Sequence, residues 1–228
     1  MNSKSLSIWR RIGVLILGFL LVLLQSVFNA SFGFFSSVPF NRWGAIILGI
    51  VLSAVIIFVV YKIYQKASDH SLEWLDGKNA ARLLLFLGAI LIMTQLGTML
   101  MERIYQTDTT ANDQLLLDIL TNLDVPGKIS YVLSTVIFAP VIEEFFFRGI
   151  MGDVVFKGLN EWLVILLSSL FFSVMHLSNN PISFIIYAGM GAILHLAYNR
   201  RHNVMDSIWV HLLNNAIAVI GQFIMLYN

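Results

Sequence analysis

The sequence predicts an all-α protein, a polytopic membrane helix bundle of about seven transmembrane helices. Composition is the first reason, because 58% of the 228 residues are hydrophobic and only 12% are charged. Soluble proteins have roughly 45–50% apolar and about 25% charged residues. The second reason is a series of apolar runs, each long enough to approach the roughly 20 residues of helix that cross a bilayer. The third is an uneven distribution of basic residues between the loops that join these runs.

Seven apolar runs are the predicted helices. Any one of them could be a buried helix in a soluble protein, but seven such runs in 228 residues leave too little polar surface for a soluble fold. The segment 112–126 would make an eighth helix if it entered the membrane. In chain order the seven runs are 12–28, 44–64, 80–101, 129–147, 162–175, 182–198 and 204–227.

Basic residues predict the orientation of the bundle. When the loops are assigned alternately to the two sides, eleven basic residues fall on one side, and such residues concentrate on the cytoplasmic side of membrane proteins. We therefore expect a multi-pass protein of the cell membrane, with the N-terminus in the cytoplasm and the C-terminus outside. The eleven are Lys4, Arg10, Arg11, Lys62, Lys66, Lys78, Arg82, Arg148, Lys157, Arg200 and Arg201, against Arg42, Arg103 and Lys128 on the other side.

The first helix follows a basic start and so resembles a secretory signal peptide. Phe28-Asn29-Ala30, however, places a bulky residue where signal cleavage needs a small one. The sequence therefore predicts an uncleaved membrane anchor.

Composition also excludes several classes of function. The net charge of +1 and the lack of a long basic stripe exclude a nucleic-acid partner. The chain has no cysteine, which excludes disulfides, thiolate metal sites and cysteine nucleophiles. Any metal would need histidine, carboxylate or amide ligands. The expected partners are the lipid bilayer and a peptide or membrane-protein substrate.

The chain divides by chemistry into residues 1–128 and 129–228. The first part contains three helices and an acidic external segment, 102–128, which we expect to be a solvated connector rather than a substrate-binding element. The second part contains most of the ionisable and amide groups of the predicted helices, so a chemical function would lie there. These groups are Glu143, Glu144, Arg148, His176, His195, His211, Asn214 and Asn215.

The stretch "EEFFFRG" places three ionisable groups within six residues of a predicted membrane helix. Each such group costs about 2.5–3.5 kcal/mol at the centre of a helix in the membrane and therefore indicates a functional site. Glu144 and Arg148 are spaced i,i+4, so they share a face and can form an ion pair. Glu143 lies about 100° around the helix and points elsewhere. Pro140, one turn earlier, removes a backbone hydrogen bond and predicts a kink.

Two later helices carry matching polar groups. "FFSVMH" places Phe172 and His176 on one face, and "HLLNN" does the same for His211 and Asn215. Distances along the predicted hairpins place Glu143, His176, His211 and Asn215 at a similar depth, so one convergent site is expected. A carboxylate in an apolar cavity is an effective general base for water. An asparagine amide can donate to a developing oxyanion. Hydrolysis of an amide bond is the chemistry that this set suits.

Other polar groups have structural interpretations. His195 is expected to be structural or interfacial, and His70 and His202 to be solvated. Gly189 and Gly191 are expected to let helices approach closely.

The stretches "EEFFFRG", "FSVMH" and "HLLNN" resemble the EExxxR, FxxxH and HxxxN motifs, in that order, of the CPBP family (also called Abi). The family joins type II CAAX prenyl endopeptidases with bacteriocin-processing and self-immunity proteins. The resemblance covers about 129–220 and implies an intramembrane glutamate-dependent endopeptidase, usually described as a metalloprotease. It implies a catalytic set of Glu143, Glu144, His176, His211 and Asn215, with Glu144 also paired to Arg148. The implied role is bacteriocin self-immunity or peptide processing.

Alternatives remain open from the sequence. His176 and His211 could bind a divalent metal, for which zinc would be suitable, but no HExxH signature is present and a metal-free mechanism explains the same residues. A non-catalytic immunity or regulatory scaffold of the same fold would keep the polar groups to hold its helices together. A proton or ion carrier is the third alternative, and the lack of inverted repeats disfavours it.

Overall fold

The computed structural model describes residues 6–36 and 42–227, and within these ranges it consists of helices and their connections. Lys4, used in the orientation argument, lies outside the described residues. The predicted fold class is confirmed. The helices are α1 (Ile8–Ser36), α2 (Arg42–Ala67), α3 (Gly77–Tyr105), α4 (Ala111–Thr121), α5 (Val125–Val132), α6 (Ala139–Glu144), α7 (Glu161–Met175), α8 (Pro181–Asn199) and α9 (Val204–Tyr227), with a first π segment (Leu133–Phe138) and a second (Phe145–Val155) on either side of α6.

Six helical stretches among the described residues are long and apolar enough to cross a membrane, and α7 is a shorter apolar helix. The predicted span 162–175 corresponds to α7, which is only 15 residues long. At 1.5 Å per residue it rises about 22 Å, less than the roughly 30 Å of a bilayer core. The chain is a multi-pass membrane protein, and α7 ends inside the bundle.

The segment predicted as a possible eighth span folds differently. Its α4 has 11 residues and is too short to cross a bilayer. Thr110 caps its N-terminus by accepting a hydrogen bond from the backbone N–H of Asp113. Leu120 and Leu123, at and beyond its C-terminal end, are buried against Tyr131 and Val219. Within the segment 102–128, expected to be a solvated connector, residues 102–108 are exposed as expected, whereas the C-terminal end of α4 packs against the bundle.

The helix that contains Glu143 is one continuous run from Val125 to Val155. It changes between α and π hydrogen bonding around Pro140. In the first π segment, the Ala139 N–H donates to the Ser134 carbonyl, five residues earlier. Wider π turns inside membrane helices are frequent at functional sites.

Helices α7 and α8 pack closely against each other at Gly191. A Cβ atom on Gly191 would lie 3.0 Å from the Cα of Ser169, so any larger residue would push the two backbones apart. The expectation that Gly191 lets two helices come together is confirmed. His195, one turn further along α8, is 1% exposed, as expected for a structural residue.

Candidate functional site

A cavity of about 560 Å³ lies among the helices of the bundle. Glu143, His176, His211 and Asn215 all line it. The structure therefore brings the four side chains to one place, from α6, the end of α7, and α9. Most of the remaining lining is aliphatic or aromatic, as in typical ligand pockets with few polar groups.

Glu144 and Arg148 form an ion pair that is completely buried. The Arg148 Nη1 donates to the Glu144 Oε1 at 2.9 Å, at the i,i+4 spacing of the motif, and both side chains are 0% exposed. The Nη2 of Arg148 donates to the carbonyl of Gly191 at 2.9 Å, and the guanidinium lies 5.1 Å from the centre of the Phe172 ring. Arg148 thus fastens the Glu143-bearing helix to α8 and α7.

Glu143 faces the imidazole of His176. The Glu143 Oε2 lies 3.7 Å from the His176 Nε2, beyond hydrogen-bond distance. Among the described residues this oxygen has no hydrogen-bond partner although it is buried. A buried acceptor without a donor is costly and calls for a proton, a water molecule or a cation.

The backbone fixes the tautomer of His176. Its Nδ1 lies 2.7 Å from the Phe172 carbonyl, which can only accept, so Nδ1 carries the proton. In the neutral imidazole Nε2 then has a free lone pair towards Glu143. The Phe172 ring stacks on the imidazole at 4.2 Å between ring centres, as expected for two residues on one helical face.

The chain after His176 is strained. Helix α7 ends at Met175, and Leu177 has φ of +46°, in the left-handed region that non-glycine residues rarely adopt. Irregular backbone at membrane depth is tolerated only where it is buried in protein or lines a cavity, and both His176 and Leu177 line this one. Backbone strain of this kind clusters at functional sites.

His211 contacts the other glutamate. Its Nδ1 lies 2.8 Å from the Glu144 Oε1, so it shares that oxygen with Arg148. His211 also lines the cavity with Glu143, so its Nδ1 is held by the buried carboxylate of Glu144 while the side chain borders the expected convergent site. Because a carboxylate accepts, Nδ1 carries the proton and the His211 Nε2 keeps its lone pair.

Pro140 explains the position of Asn215. If the hydrogen-bond pattern of the first π segment continued, residue 140 would donate to the Thr135 carbonyl, but proline has no N–H. The Asn215 Nδ2 donates to that carbonyl instead, at 2.9 Å. The predicted kink residue therefore frees an acceptor that anchors α9. One amide proton of Asn215 remains for another partner.

Comparison with known proteins shows which protein family part of the chain resembles. Residues 125–217 match the family model described as "Type II CAAX prenyl endopeptidase Rce1-like". We call residues 125–217 the Rce1-like segment, because they resemble this family. The resemblance expected from the three motifs is thereby confirmed, and the segment contains Glu143, Glu144, Arg148, His176, His211 and Asn215.

Two curated bacterial proteins also match parts of the chain. "UPF0177 protein YaiH" of Lactococcus lactis subsp. lactis (strain IL1403) is 40% identical over 85 residues, which are 37% of this chain and 34% of that protein. "Putative membrane peptidase YdiL" of Bacillus subtilis (strain 168) is 26% identical over 111 residues, 49% of this chain and 43% of that protein. The chain thus covers less than half the length of these relatives. No solved structure matches the chain.

The donors of the Rce1-like segment are of the types that bind zinc, two imidazoles and a carboxylate. Within residues 6–36 and 42–227, however, no three His, Cys, Asp or Glu side chains are grouped closely enough to hold a metal ion as they stand. The metal predicted at His176 and His211 stays a prediction.

Several lining residues lie before the Rce1-like segment. They come from α1, α3 and α4, and include Ser26, Thr94, Asp113 and Leu116. The sequence predicted that the chemical function would lie in residues 129–228 and missed this contribution from the residues before them. The amphipathic pattern "DQLLLDIL" was the available signal, because a helix that is apolar on one side needs something to cover.

Proposed function

We propose that this chain is an intramembrane endopeptidase that hydrolyses a peptide bond with water activated by Glu143. The observation that carries the proposal is the Glu143–His176 pair at the cavity wall, with one buried carboxylate oxygen that has no donor among the described residues. The Rce1-like match and the peptidase name of one relative support the same class of reaction.

The roles follow from the donors and acceptors. Glu143 accepts a proton from water as the water oxygen attacks the carbonyl carbon of the substrate. The C–N bond then breaks, and the proton passes to the leaving amine. His176, with its Nδ1 proton held by the Phe172 carbonyl, offers Nε2 to orient that water. General base catalysis of this kind contributes about 10²–10⁴-fold.

Glu144 supports the site rather than reacting. Its Oε1 already accepts from Arg148 and His211. Its Oε2 is unpartnered among the described residues, like that of Glu143, but Glu144 is completely buried and, unlike Glu143, does not line the cavity, so it has less access to water. The remaining N–H of Asn215 is the proposed oxyanion donor, an interaction worth about 10²–10³ in rate in other enzymes. The alternative of a divalent metal at His176 and His211, such as zinc, would add a Lewis acid to the cavity.

The proposed setting is bacteriocin self-immunity or the processing of a peptide, with the N-terminus in the cytoplasm. The proposed substrate is a peptide or membrane protein that reaches the cavity within the bilayer. A non-catalytic immunity or regulatory scaffold is the second candidate. The observation in its favour is the Arg148–Glu144–His211 cluster, which ties three helices together whether or not any reaction occurs.

Cleavage in proteoliposomes tests the proposal. The purified full chain is incubated with a set of internally quenched peptides, prenylated or unmodified, in water enriched in ¹⁸O. We expect a cut peptide whose new carboxyl group contains ¹⁸O, which identifies hydrolysis by water. Glu143→Gln should lower the rate by about 10²–10⁴-fold with unchanged thermal unfolding.

Two further measurements separate the alternatives. If Glu143→Gln cleaves as fast as the parent, the proposed reaction is wrong. Peptides left intact by the parent, together with immunity in cells that survives Glu143→Gln, would favour the scaffold. Incubation with a chelator, followed by addition of zinc, decides the metal: a metal-dependent enzyme loses and regains cleavage, and a metal-free one does not.

A further inference from the structure

Tyr187, in α8, contacts the imidazole of His176. The two ring centres lie 4.8 Å apart and the ring planes differ by 22°, which is a stacked arrangement. The tyrosine is 4% exposed and lines the cavity. His176 lies just beyond the end of α7, so its ring is not held by continued helix. The Phe172 and Tyr187 rings, together with the hydrogen bond from Nδ1 to the Phe172 carbonyl, therefore restrict the orientation in which Nε2 faces Glu143.

The hydroxyl of the same tyrosine binds the start of α4. It donates to the Asp113 Oδ1 at 3.1 Å and lies 2.9 Å from the Thr110 Oγ1. Thr110 donates to the other carboxylate oxygen of Asp113 at 2.8 Å and is 1% exposed. One carboxylate and two hydroxyls thus connect α4 to α8.

Helix α4 forms one wall of the cavity, and the catalytic candidates line the same cavity. Its residues Asn112, Asp113, Leu116 and Ile119 line the same volume as Glu143 and His176. Its position therefore determines how closely the cavity is covered on that side. Tyr187 contacts both this wall and the imidazole, through different parts of one side chain.

We propose that Tyr187 is a positioning residue of the peptidase, which aligns His176 through its ring and fastens α4 over the cavity through its hydroxyl. The expected effects on kcat and KM, which we call the kinetic half of the inference, rest on the proposed function. The ring acts on the chemical step, because it orients the imidazole. The hydroxyl acts on substrate entry and retention, because it holds the wall.

Three substitutions separate the two halves. Tyr187→Phe keeps the ring and removes the hydroxyl, and Thr110→Val weakens the same connection from α4. We expect both to raise KM severalfold and to leave kcat within about twofold. Tyr187→Leu removes the ring, and kcat should fall by roughly tenfold or more, since small misplacements of catalytic groups cost up to about 10²-fold. The substrate is the quenched peptide that the parent chain cleaves best.

A measurement without substrate tests the fastening of α4. The chain has no cysteine, so a single Leu116→Cys residue reports access to the cavity by its rate of reaction with a water-soluble maleimide. We expect this rate to rise severalfold when Tyr187→Phe or Thr110→Val is added. Gln114→Cys, on the exposed face of α4, should react at the same rate in every background. Tyr64→Phe, buried outside the cavity, is the matched control and should change neither labelling nor kinetics.

The outcomes distinguish this inference from the proposed function. If Glu143→Gln abolishes cleavage while Tyr187→Leu keeps kcat and Tyr187→Phe keeps the labelling rate, Tyr187 is an ordinary core residue and the inference is wrong. Lower amounts of folded protein with unchanged kcat and KM in what remains would also overturn it. If Glu143→Gln is fully active, the proposed function and the kinetic half fail together, and the labelling rates alone decide the role of the hydroxyl.

Discussion

Two carboxylates of the same long helix, ten residues apart, have opposite surroundings. Asp153 borders a hollow of about 170 Å³ and has donors on both oxygens, from the hydroxyl of Tyr198 and from the Ser68 Oγ at 2.7 Å. Glu143 borders the larger cavity, and its Oε2 has no donor among the described residues. Both carboxylates lie near a histidine, so residue type alone does not separate them.

An unsatisfied acceptor beside a cavity is what the proposed reaction needs, whereas the satisfied carboxylate of Asp153 suits a structural role. The ring of His70 lies 4.0 Å from Asp153 and stacks on His202 at 4.8 Å. Both histidines were expected to be solvated, and both are exposed, with their rings stacked on each other. Their contacts join the loop after α2 to the loop before α9, without an open carboxylate for a substrate.

The largest expected effect on stability comes from the buried cluster beside Glu143. Arg148→Met leaves the charge of Glu144 with His211 as its remaining partner. Removing one member of a buried ion pair costs about 3–5 kcal/mol. We expect the free energy of unfolding in mixed detergent micelles to fall by this amount, and less protein to accumulate in the membrane.

Two controls accompany the Arg148 variant. The double change Glu144→Gln with Arg148→Met should recover part of the loss, because no uncompensated charge remains. Arg103→Met, on an exposed arginine, should change stability by no more than about 0.5 kcal/mol. Equal losses in the single and double variants would show that the pair is not what stabilises the cluster.

A substitution of Asp153 should destabilise the protein less than Arg148→Met and should not affect cleavage. Asp153→Asn keeps the shape but exchanges one acceptor oxygen for a donor, so one of its two hydroxyl partners must reorient. We expect unfolding to become easier by about 1–3 kcal/mol, with kcat and KM unchanged. A loss of cleavage equal to that of Glu143→Gln, at unchanged stability, would remove the distinction between the two clusters.

We expect Asn215→Ala and Pro140→Ala to be coupled by about 1 kcal/mol in the free energy of unfolding. Pro140→Ala supplies a backbone N–H that can donate to the Thr135 carbonyl and compete with the Asn215 amide. Asn215→Ala should therefore destabilise the Pro140→Ala protein less than it destabilises the parent. A double-mutant cycle from unfolding free energies measures this coupling, and strict additivity would contradict the proposed substitution of donors.

The features predicted correctly from the sequence depend on composition or on residues that are close together in the chain. The spans follow from hydrophobicity, and the contact of Glu144 with Arg148 follows from helical geometry over four residues. The orientation of His211 towards Glu144 could not be predicted, because it depends on the rotation of α9 about its axis, which packing along the whole helix sets. The same holds for Tyr187 and Asp113, whose contact joins residues that are 74 positions apart.

The smallest expected effect is at the start of α3, in a helix cap that belongs to neither cluster. Asp76 caps this helix by accepting from the Asn79 backbone N–H at 2.8 Å. That bond, which favours the ionised form, lowers the pKa of Asp76 below its ordinary value. Its stabilisation is therefore complete above the unfolded pKa of about 3.9 and is lost as the pH falls through the lower folded pKa. Asp76→Ala should lower the melting temperature slightly at neutral pH, and the difference from the parent should vanish in acid. A difference that persists at low pH would mean that the cap acts through packing rather than through the ionised carboxylate.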